Sequence, residues 1–337
     1  MQLIPLEMNC EVMEKIIDPI DKELIKRELT PSKFLRQTNA RYNTIYEIDA
    51  HDSPNTMLEL GRLRELTFRM ANGGTGNSVD IDEYDTAEIP FKQLIVWKGE
   101  TEEIISAYRY ILGKNVKLDD EDYPHTPTSK LFCFSKEFIQ EIWPHCIELG
   151  RSFVQPAYQA INNKRESLFA LDNIWDALGA LIAKNTEIKY FIGKMTLYNS
   201  YNREARRLIL DFLKNHFRGD EKLIYPFQES DDLHENTTPV EHYLSEESFK
   251  EDFKKLNSEI RNLGESIPPL IKTYLSLSPS VQCFGISENE EFGEVEEICI
   301  LIKISDIYER KKSRHIDTYI KDSLIQSVSP KTNNHDN

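Results

Sequence analysis

The stretch Cys146–Val154, CIELGRSFV, constrains this chain more than any other segment. Its apolar and β-branched content predicts a strand, yet Glu148 and Arg151 sit inside it. A charge within a foldable segment needs a partner, because an unpaired ion removed from water is costly. Three upstream clusters supply candidates: Leu63-Arg64 with Phe68, Asp82-Glu83-Tyr84-Asp85, and Tyr108-Arg109-Tyr110. The expectation is a fold that gathers these segments around one cleft, and such sets of charges usually mark a site. Glu148 and Arg151 are three apart, so a regular strand would send them to opposite faces. Gly150 between them permits a bulge that turns both to one side.

Periodicity predicts the surrounding elements. Residues 9–29 read as an amphipathic helix with Val12, Ile16, Ile17, Ile20 and Leu24 on one face. Thr44–Ile48 alternates like a strand, and Ser53-Pro54 starts a helix running to about Ala71, with Ser53 as its cap. The glycine-rich run Asn72–Asn77 lacks the Lys-Ser/Thr of a phosphate loop and reads as a flexible connection. Strands follow over Leu94–Trp97, Ile104–Leu112 and Cys146–Val154, then a helix over Lys164–Asn185. A strand over Tyr190–Leu197, a helix over Asn202–Phe217, two further helices, and strands at Val281–Ile286 and Glu296–Ile304 complete the order. This is one mixed α/β (α+β) domain over about 41–325, with a helical extension at 1–40. An acidic loop excursion is expected at 219–247 and a disordered tail at 326–337.

Composition removes several classes. With 41 basic against 57 acidic residues the net charge is −16, a field that repels nucleic acid. No apolar run approaches the roughly 20 residues that span a bilayer. The first residues lack the apolar core and cleavage site of a signal peptide. The five cysteines are scattered, which argues for a reducing compartment and a cytoplasmic location. Any bilayer contact would be peripheral, through the basic cluster Arg310–His315. A second basic cluster, Arg203 to Arg218, is either a solvated helix face or a dock for an acidic partner.

Motifs remove more. There is no G-x-S-x-G, H-E-x-x-H, P-loop or G-x-G-x-x-G, and no histidine pair has metal-ligand spacing, so no metal is expected. The H-x-x-x-x-D motif is missing as well: His216 has Glu221 five positions on, and His145 has Gly150.

What remains is ordered arginine and carboxylate words: Leu63-Arg64-x-x-x-Phe68, Asp82-x-x-Asp85, Arg109 after a strand, and Glu148-x-x-Arg151. This order resembles the signature shared by acyl-homoserine-lactone synthases and the N-acyltransferases of bacterial ornithine- and glycine-lipid synthesis, often labelled hemolysin-like. Both are groups of the GNAT superfamily. Ile267–Leu275 and Phe292–Val295 are similar to the amino-lipid group. Glu59–Glu65, Leu171–Gly179 and Arg314-His315-Ile316 look like a Bacteroidetes subfamily taken to make glycine-type lipids. The resemblance covers nearly the whole chain. It implies a GNAT-like central sheet flanked by helices, with N-terminal and late helical additions. The Q/R-x-x-G-x-G/A loop of coenzyme A-using members is absent between Val154 and Ser167. The implied donor is therefore acyl carrier protein, with acyl-coenzyme A less favoured and no bound cofactor.

The resemblance also suggests roles. N-acylation needs an amine relieved of its proton, a polarised carbonyl and a thiolate leaving. Glu148 would accept the amine proton, or else form a structural salt bridge with an arginine. Backbone N–H groups freed beside Arg151 would hold the oxyanion, and Tyr201 would protonate the thiolate, with Tyr198 as near. Asp82 and Asp85 would orient Arg64 and Arg109 or meet the substrate ammonium, and Arg109 or Arg151 would grip its carboxylate. Phe68 reads as core packing, with acyl contact as the lesser role. Ser152, Phe153 and Val154 would run beside the donor, and Lys164 and Arg165 would take its phosphate at a helix N-terminus. The predicted reaction is transfer of a 3-hydroxy fatty acyl group from acyl carrier protein to a small amino acid, glycine over ornithine. Lactone-synthase-like chemistry and a non-catalytic binding protein are the alternatives.

Overall fold

The computed structural model describes residues 13–159, 164–228, 248–293 and 295–328. In chain order these form α1 (Lys22–Glu28), β1 (Phe34–Gln37), β2 (Thr44–Ile48), α2 (Pro54–Arg69), the single turn α3 (Glu83–Thr86), β3 (Lys92–Lys98), β4 (Glu103–Leu112) and β5 (Phe132–Phe134). Then come β6 (Cys146–Val154), α4 (Lys164–Lys184), β7 (Tyr190–Leu197), α5 (Arg203–His216), β8 (Ile224–Pro226), α6 (Phe249–Asn262), α7 (Pro269–Leu275), β9 (Gln282–Asn289), β10 (Val295–Lys303), α8 (Glu309–Lys312) and α9 (Thr318–Val328).

Eight strands build one sheet in the order β1-β2-β3-β4-β6-β7-β10-β9, and β5 pairs with β8 apart from it. All neighbours in the large sheet are antiparallel except β6 and β7. Parallel strands need a crossover, and α4 is that crossover, as its length and apolar stripe predict. Side-chain alternation splits the core by face. Ile147 and Leu149 of β6 pack with Ile174, Leu178 and Leu181 of α4. On the other face Ala107 and Phe153 pack with Leu60, Leu63 and Phe68 of α2. Glu148, one step from Ile147, therefore points to the α2 side.

The helix expected over 9–29 is replaced by an arm: residues 13–20 run without helix, and only Lys22–Glu28 coils. Pro19 has no N–H and disfavours helical backbone at Asp18, while Asp21 caps the short helix through the Glu23 N–H. The arm is tied down by Glu14 N–H to the Gly76 carbonyl at 2.8 Å and Ile17 N–H to the Ser78 carbonyl at 3.2 Å. Residues 9–12 of that expectation lie outside the described residues. The start of α2 is also capped differently. Ser53 makes no cap bond, and the Glu28 carboxylate instead accepts from the N–H groups of Asn55 and Thr56 at 3.0 and 2.7 Å. A full negative charge suits a helix N-terminus better than a hydroxyl. The glycine run Asn72–Asn77 is likewise pinned, since the buried Glu65 carboxylate accepts from Thr75 N–H and Gly76 N–H.

Three strands escaped the periodicity: β1, β5 and β8 are only three or four residues long. Of the excursion at 219–247, residues 219–228 are described and carry β8. The tail expected from 326 begins later, since α9 continues to Val328, and 329–337 lie outside the described residues. Among the described residues no helix is long and apolar enough to cross a membrane.

The C-terminal helices are clamped to both α4 and the first strands. His315 Nδ1 lies 2.7 Å from Asp176 Oδ1, the Arg36 guanidinium donates to the His315 carbonyl at 3.0 Å, and Asn39 N–H donates to Asp176 Oδ2 at 2.8 Å. Gly179 makes room for this contact, because a Cβ there would meet the His315 carbonyl oxygen at 2.2 Å. Gly179→Ala is expected to lose about 1–3 kcal/mol through overpacking, despite the better helix propensity of alanine. A urea denaturation midpoint at or above that of the parent would refute this.

Candidate active site

Three arginines and three aspartates form a buried lattice beneath α2. Arg64, 1% exposed, donates to Asp85 Oδ2 at 2.9 Å and to Gln93 Oε1 at 2.5 Å. Arg109, also 1% exposed, donates to Asp82 Oδ1 and Oδ2 at 2.6 and 2.7 Å and lies 3.1 Å from Asp85. The third aspartate is Asp80, which the sequence reading missed. It is fully buried and sits 2.8 Å from Arg151 Nε. Asp82 and Asp85 also close a capping box around the α3 turn, which fixes both carboxylates before any arginine arrives. Burial works against the Asp82 charge, but Arg109, Arg151 and Arg64 outweigh it and hold the carboxyl below its ordinary range.

The expected bulge is present, but its strained residue is Arg151 and not Gly150. In the β4–β6 ladder Ala107 pairs with Phe153 and Arg109 with Gly150, so β6 carries one extra residue across that step. Arg151 takes a left-handed φ of 49°, a conformation that costs a non-glycine residue about 1–2 kcal/mol. The turn brings Arg151 onto the Asp80 side, with its guanidinium 4.4 Å above the Phe292 ring. Its Nε is engaged by Asp80, whereas its terminal nitrogens have only Asp82 at 3.7 Å. Both terminal nitrogens of Arg64 and Nη1 of Arg109 are spent on the lattice, and Arg109 and Arg151 both line the cavity beside it.

β6 and β7 pair only from Cys146–Tyr190 to Leu149–Gly193 and then part. β6 stays bound to β4 through Val154, and β7 stays bound to β10 through Leu197. The wedge between them opens into a cavity of about 230 Å³ whose lining includes Phe68, Arg109, Glu148, Gly150, Arg151, Ser152, Lys194, Tyr198 and the 268–271 segment. Phe68 meets Phe292 edge-on at 5.0 Å and is 6% exposed, so it packs and lines at once.

Glu148 makes no salt bridge to an arginine among the described residues, which removes the expected structural alternative. It is 2% exposed; its Oε1 accepts from Thr128 N–H at 3.0 Å, and its Oε2 has no hydrogen-bond partner among the described residues. Burial pushes its carboxyl above the ordinary range, against the hydrogen bonds of Thr126 and Thr128 and the charge of Lys194. A buried carboxyl with one idle oxygen, on a residue that lines a cavity, has the features of a proton acceptor.

The remaining predicted residues divide. Ser152 lines the cavity, Phe153 is buried under α2, and Val154 pairs with Ser106. Tyr201 is turned away: its hydroxyl donates to the Ser266 carbonyl at 2.9 Å. Tyr198 lines the cavity in its place, its hydroxyl pushed up to about 12 by burial and by Glu297, with Arg151 opposing. Lys164 and Arg165 head α4, and their side chains lie outside the described ones. Arg206 of the basic helix points inward, 8% exposed and 3.0 Å from Glu296, so it is structural and not a docking residue. A pair the sequence reading missed is Lys194 with Glu297, 2.5 Å apart on neighbouring strands and both nearly buried. Lys194 is the one charged residue of Tyr190–Leu197, and only the sheet order shows that its strand lies between β6 and β10, which carries Glu297.

Residues 63–165 match the acetyltransferase (GNAT) domain, the segment that carries α2, the lattice and β6. Over 92% of this chain, a glycine N(alpha)-acyltransferase of Phocaeicola vulgatus is 50% identical, with 94% of that protein covered. One from Bacteroides thetaiotaomicron is 52% identical over the same share, with 91% of that protein covered. The chain belongs to the GNAT N-acyltransferases of this Bacteroidetes type. No solved structure matches it. The mixed sheet and flanking helices of this acyltransferase are those expected of the family, as are the helical additions around them.

Proposed function

We propose that this acyltransferase moves a 3-hydroxy fatty acyl group from acyl carrier protein to the α-amine of glycine, in amino-lipid synthesis in the cytoplasm. The observation that carries the reading is buried Glu148, which lines the wedge between β6 and β7 and whose Oε2 has no hydrogen-bond partner among the described residues. The thioester carbonyl lies in that wedge, beside backbone N–H groups left unpaired where the strands part. The amine attacks it, a C–N bond forms, and Glu148 takes the amine proton directly or through one water. Collapse of the tetrahedral oxyanion breaks the C–S bond, and the thiolate is protonated from Tyr198 or from water. Arg151 holds the acceptor carboxylate with its terminal nitrogens. Lys164 and Arg165, with the N–H groups heading α4, bind the carrier's phosphate. Exposed Lys214 of α5, with Arg203 at its start and Arg218 just beyond its end, would face an acidic carrier. The relatives' printed activity supports glycine as acceptor.

The test is purified enzyme given a mixture of free amino acids and either 3-hydroxyacyl-acyl carrier protein or the matching coenzyme A thioester, with products read by mass spectrometry. N-acylglycine formed from the carrier protein is expected. A lactone formed with S-adenosylmethionine, or no product from any acceptor, would overturn the proposal.

A further inference from the structure

We infer that Lys194 selects the acceptor by its carboxylate, an assignment that rests on the glycine reading above. Two cavities meet beside Glu148. The inner one holds that residue, and the outer one, about 770 Å³, opens between α3, the segment before β5 and the β9–β10 tip. Only Pro127, Arg151, Lys194 and Phe292 line both. The junction between entrance and reaction chamber is thus two cations, one ring and one proline.

Lys194 is held in place from behind. Its ammonium donates to the Pro127 carbonyl at 2.8 Å and lies 2.5 Å from Glu297 Oε2. An ammonium has three N–H groups, so at least one has no partner among the described residues. Glu297 does not depend on Lys194 alone, since Thr196 Oγ1 and Asn289 Nδ2 donate to it at 3.3 and 3.0 Å. Arg151 reaches the same junction, its Nε held by Asp80 and a terminal nitrogen 3.7 Å from Asp82. The rim of the outer cavity is on balance acidic, with Asp82, Glu83, Glu288, Glu290 and Glu291 against the rim cation Lys130, which pairs with Glu83 and Glu291. A zwitterion entering this gradient is ordered by it. The ammonium is drawn through the acidic rim, and the carboxylate comes to rest between the two cations while the amine continues to Glu148. A neutral amine gains no hold there, and an acidic side chain is repelled at the rim.

A purely structural Lys194–Glu297 pair would harm every acceptor alike, and that separates the two roles. Lys194→Met alone would strand a buried carboxylate, so it is combined with Glu297→Gln. The readout is kcat and KM for glycine and for glycinamide, with the same acyl carrier protein donor. The double variant is expected to raise the glycine KM by about 10- to 100-fold, the scale of a lost charged hydrogen bond, with kcat far less changed. Glycinamide, which has no carboxylate, should be nearly indifferent, and Lys194→Arg alone should keep most of the preference for glycine. Parallel losses for both acceptors, or an unchanged glycine KM, would overturn the role of Lys194. A parent enzyme that does not acylate glycine would instead overturn the acceptor assignment itself.

Discussion

Glu148→Gln is expected to lower kcat by about 10²- to 10⁴-fold, the range assigned to a general base, while making the protein more stable at neutral pH. The two effects have one cause. Burial raises the Glu148 carboxyl above its ordinary range, so the folded state holds that proton more tightly than the unfolded chain does. The favourable contribution of the protonated acid is therefore complete below the unfolded value and is lost as pH rises through the folded one. As pH rises through that folded value the parent comes to carry a buried anion with one oxygen unsatisfied, and glutamine removes that charge while keeping an acceptor for the Thr128 N–H. The gain in melting temperature should accordingly shrink toward zero near pH 4. The parent's rate should fall on the acid side with a midpoint above that of an ordinary glutamate, and that limb should be missing from the variant. A variant that keeps its activity within tenfold, or melts lower than the parent at pH 7, would contradict this account.

Asp85→Ala is expected to be among the most destabilising single changes, at about 3–5 kcal/mol, because it strips an anion from two buried guanidinium groups at once. Arg64 and Arg109 both lean on Asp85, and neither can shed its charge at any accessible pH. Gln93 loses an acceptor for its side-chain amide in the same step. Asp85→Asn should cost less, since it preserves an oxygen and the shape of the α3 turn. Chemical denaturation followed by tryptophan fluorescence would decide. A loss under 1 kcal/mol would mean that the lattice is dispensable for folding.

The lattice was legible where charge interrupts apolar periodicity. Arg64 sits among the core leucines of α2, and Arg109 lies between two tyrosines of β4, so each betrays a partner elsewhere. Asp80 was not legible, because it follows a run of glycine and asparagine that looks entirely solvated. The chain's own ion pairs also misled. Glu148 was open to a salt bridge with an arginine, whereas the bulge hands Arg151 to Asp80 and Glu148 has no arginine partner among the described residues. The helix expected over 9–29 shows the opposite error: Pro19 interrupts it, and the short helix that remains buries Ile25 and leaves Leu24 exposed. The crossover α4 was the easiest element to read, since 21 residues of helical periodicity outweigh any local ambiguity.

One feature of the sheet bears on synthesis of the chain as well as on its chemistry. β7 carries Lys194, yet its neighbour on one side is β10, made of residues 295–303. Until that last part of the polypeptide emerges, one flank of β7 has no ladder to join, and Lys194 has no Glu297. On the ribosome the nascent chain before residue 295 therefore exposes a sticky strand edge for many seconds at ordinary elongation rates. A translating cell would meet this interval with chaperone cover, and chains stalled or truncated before residue 295 should aggregate and show no acyl transfer.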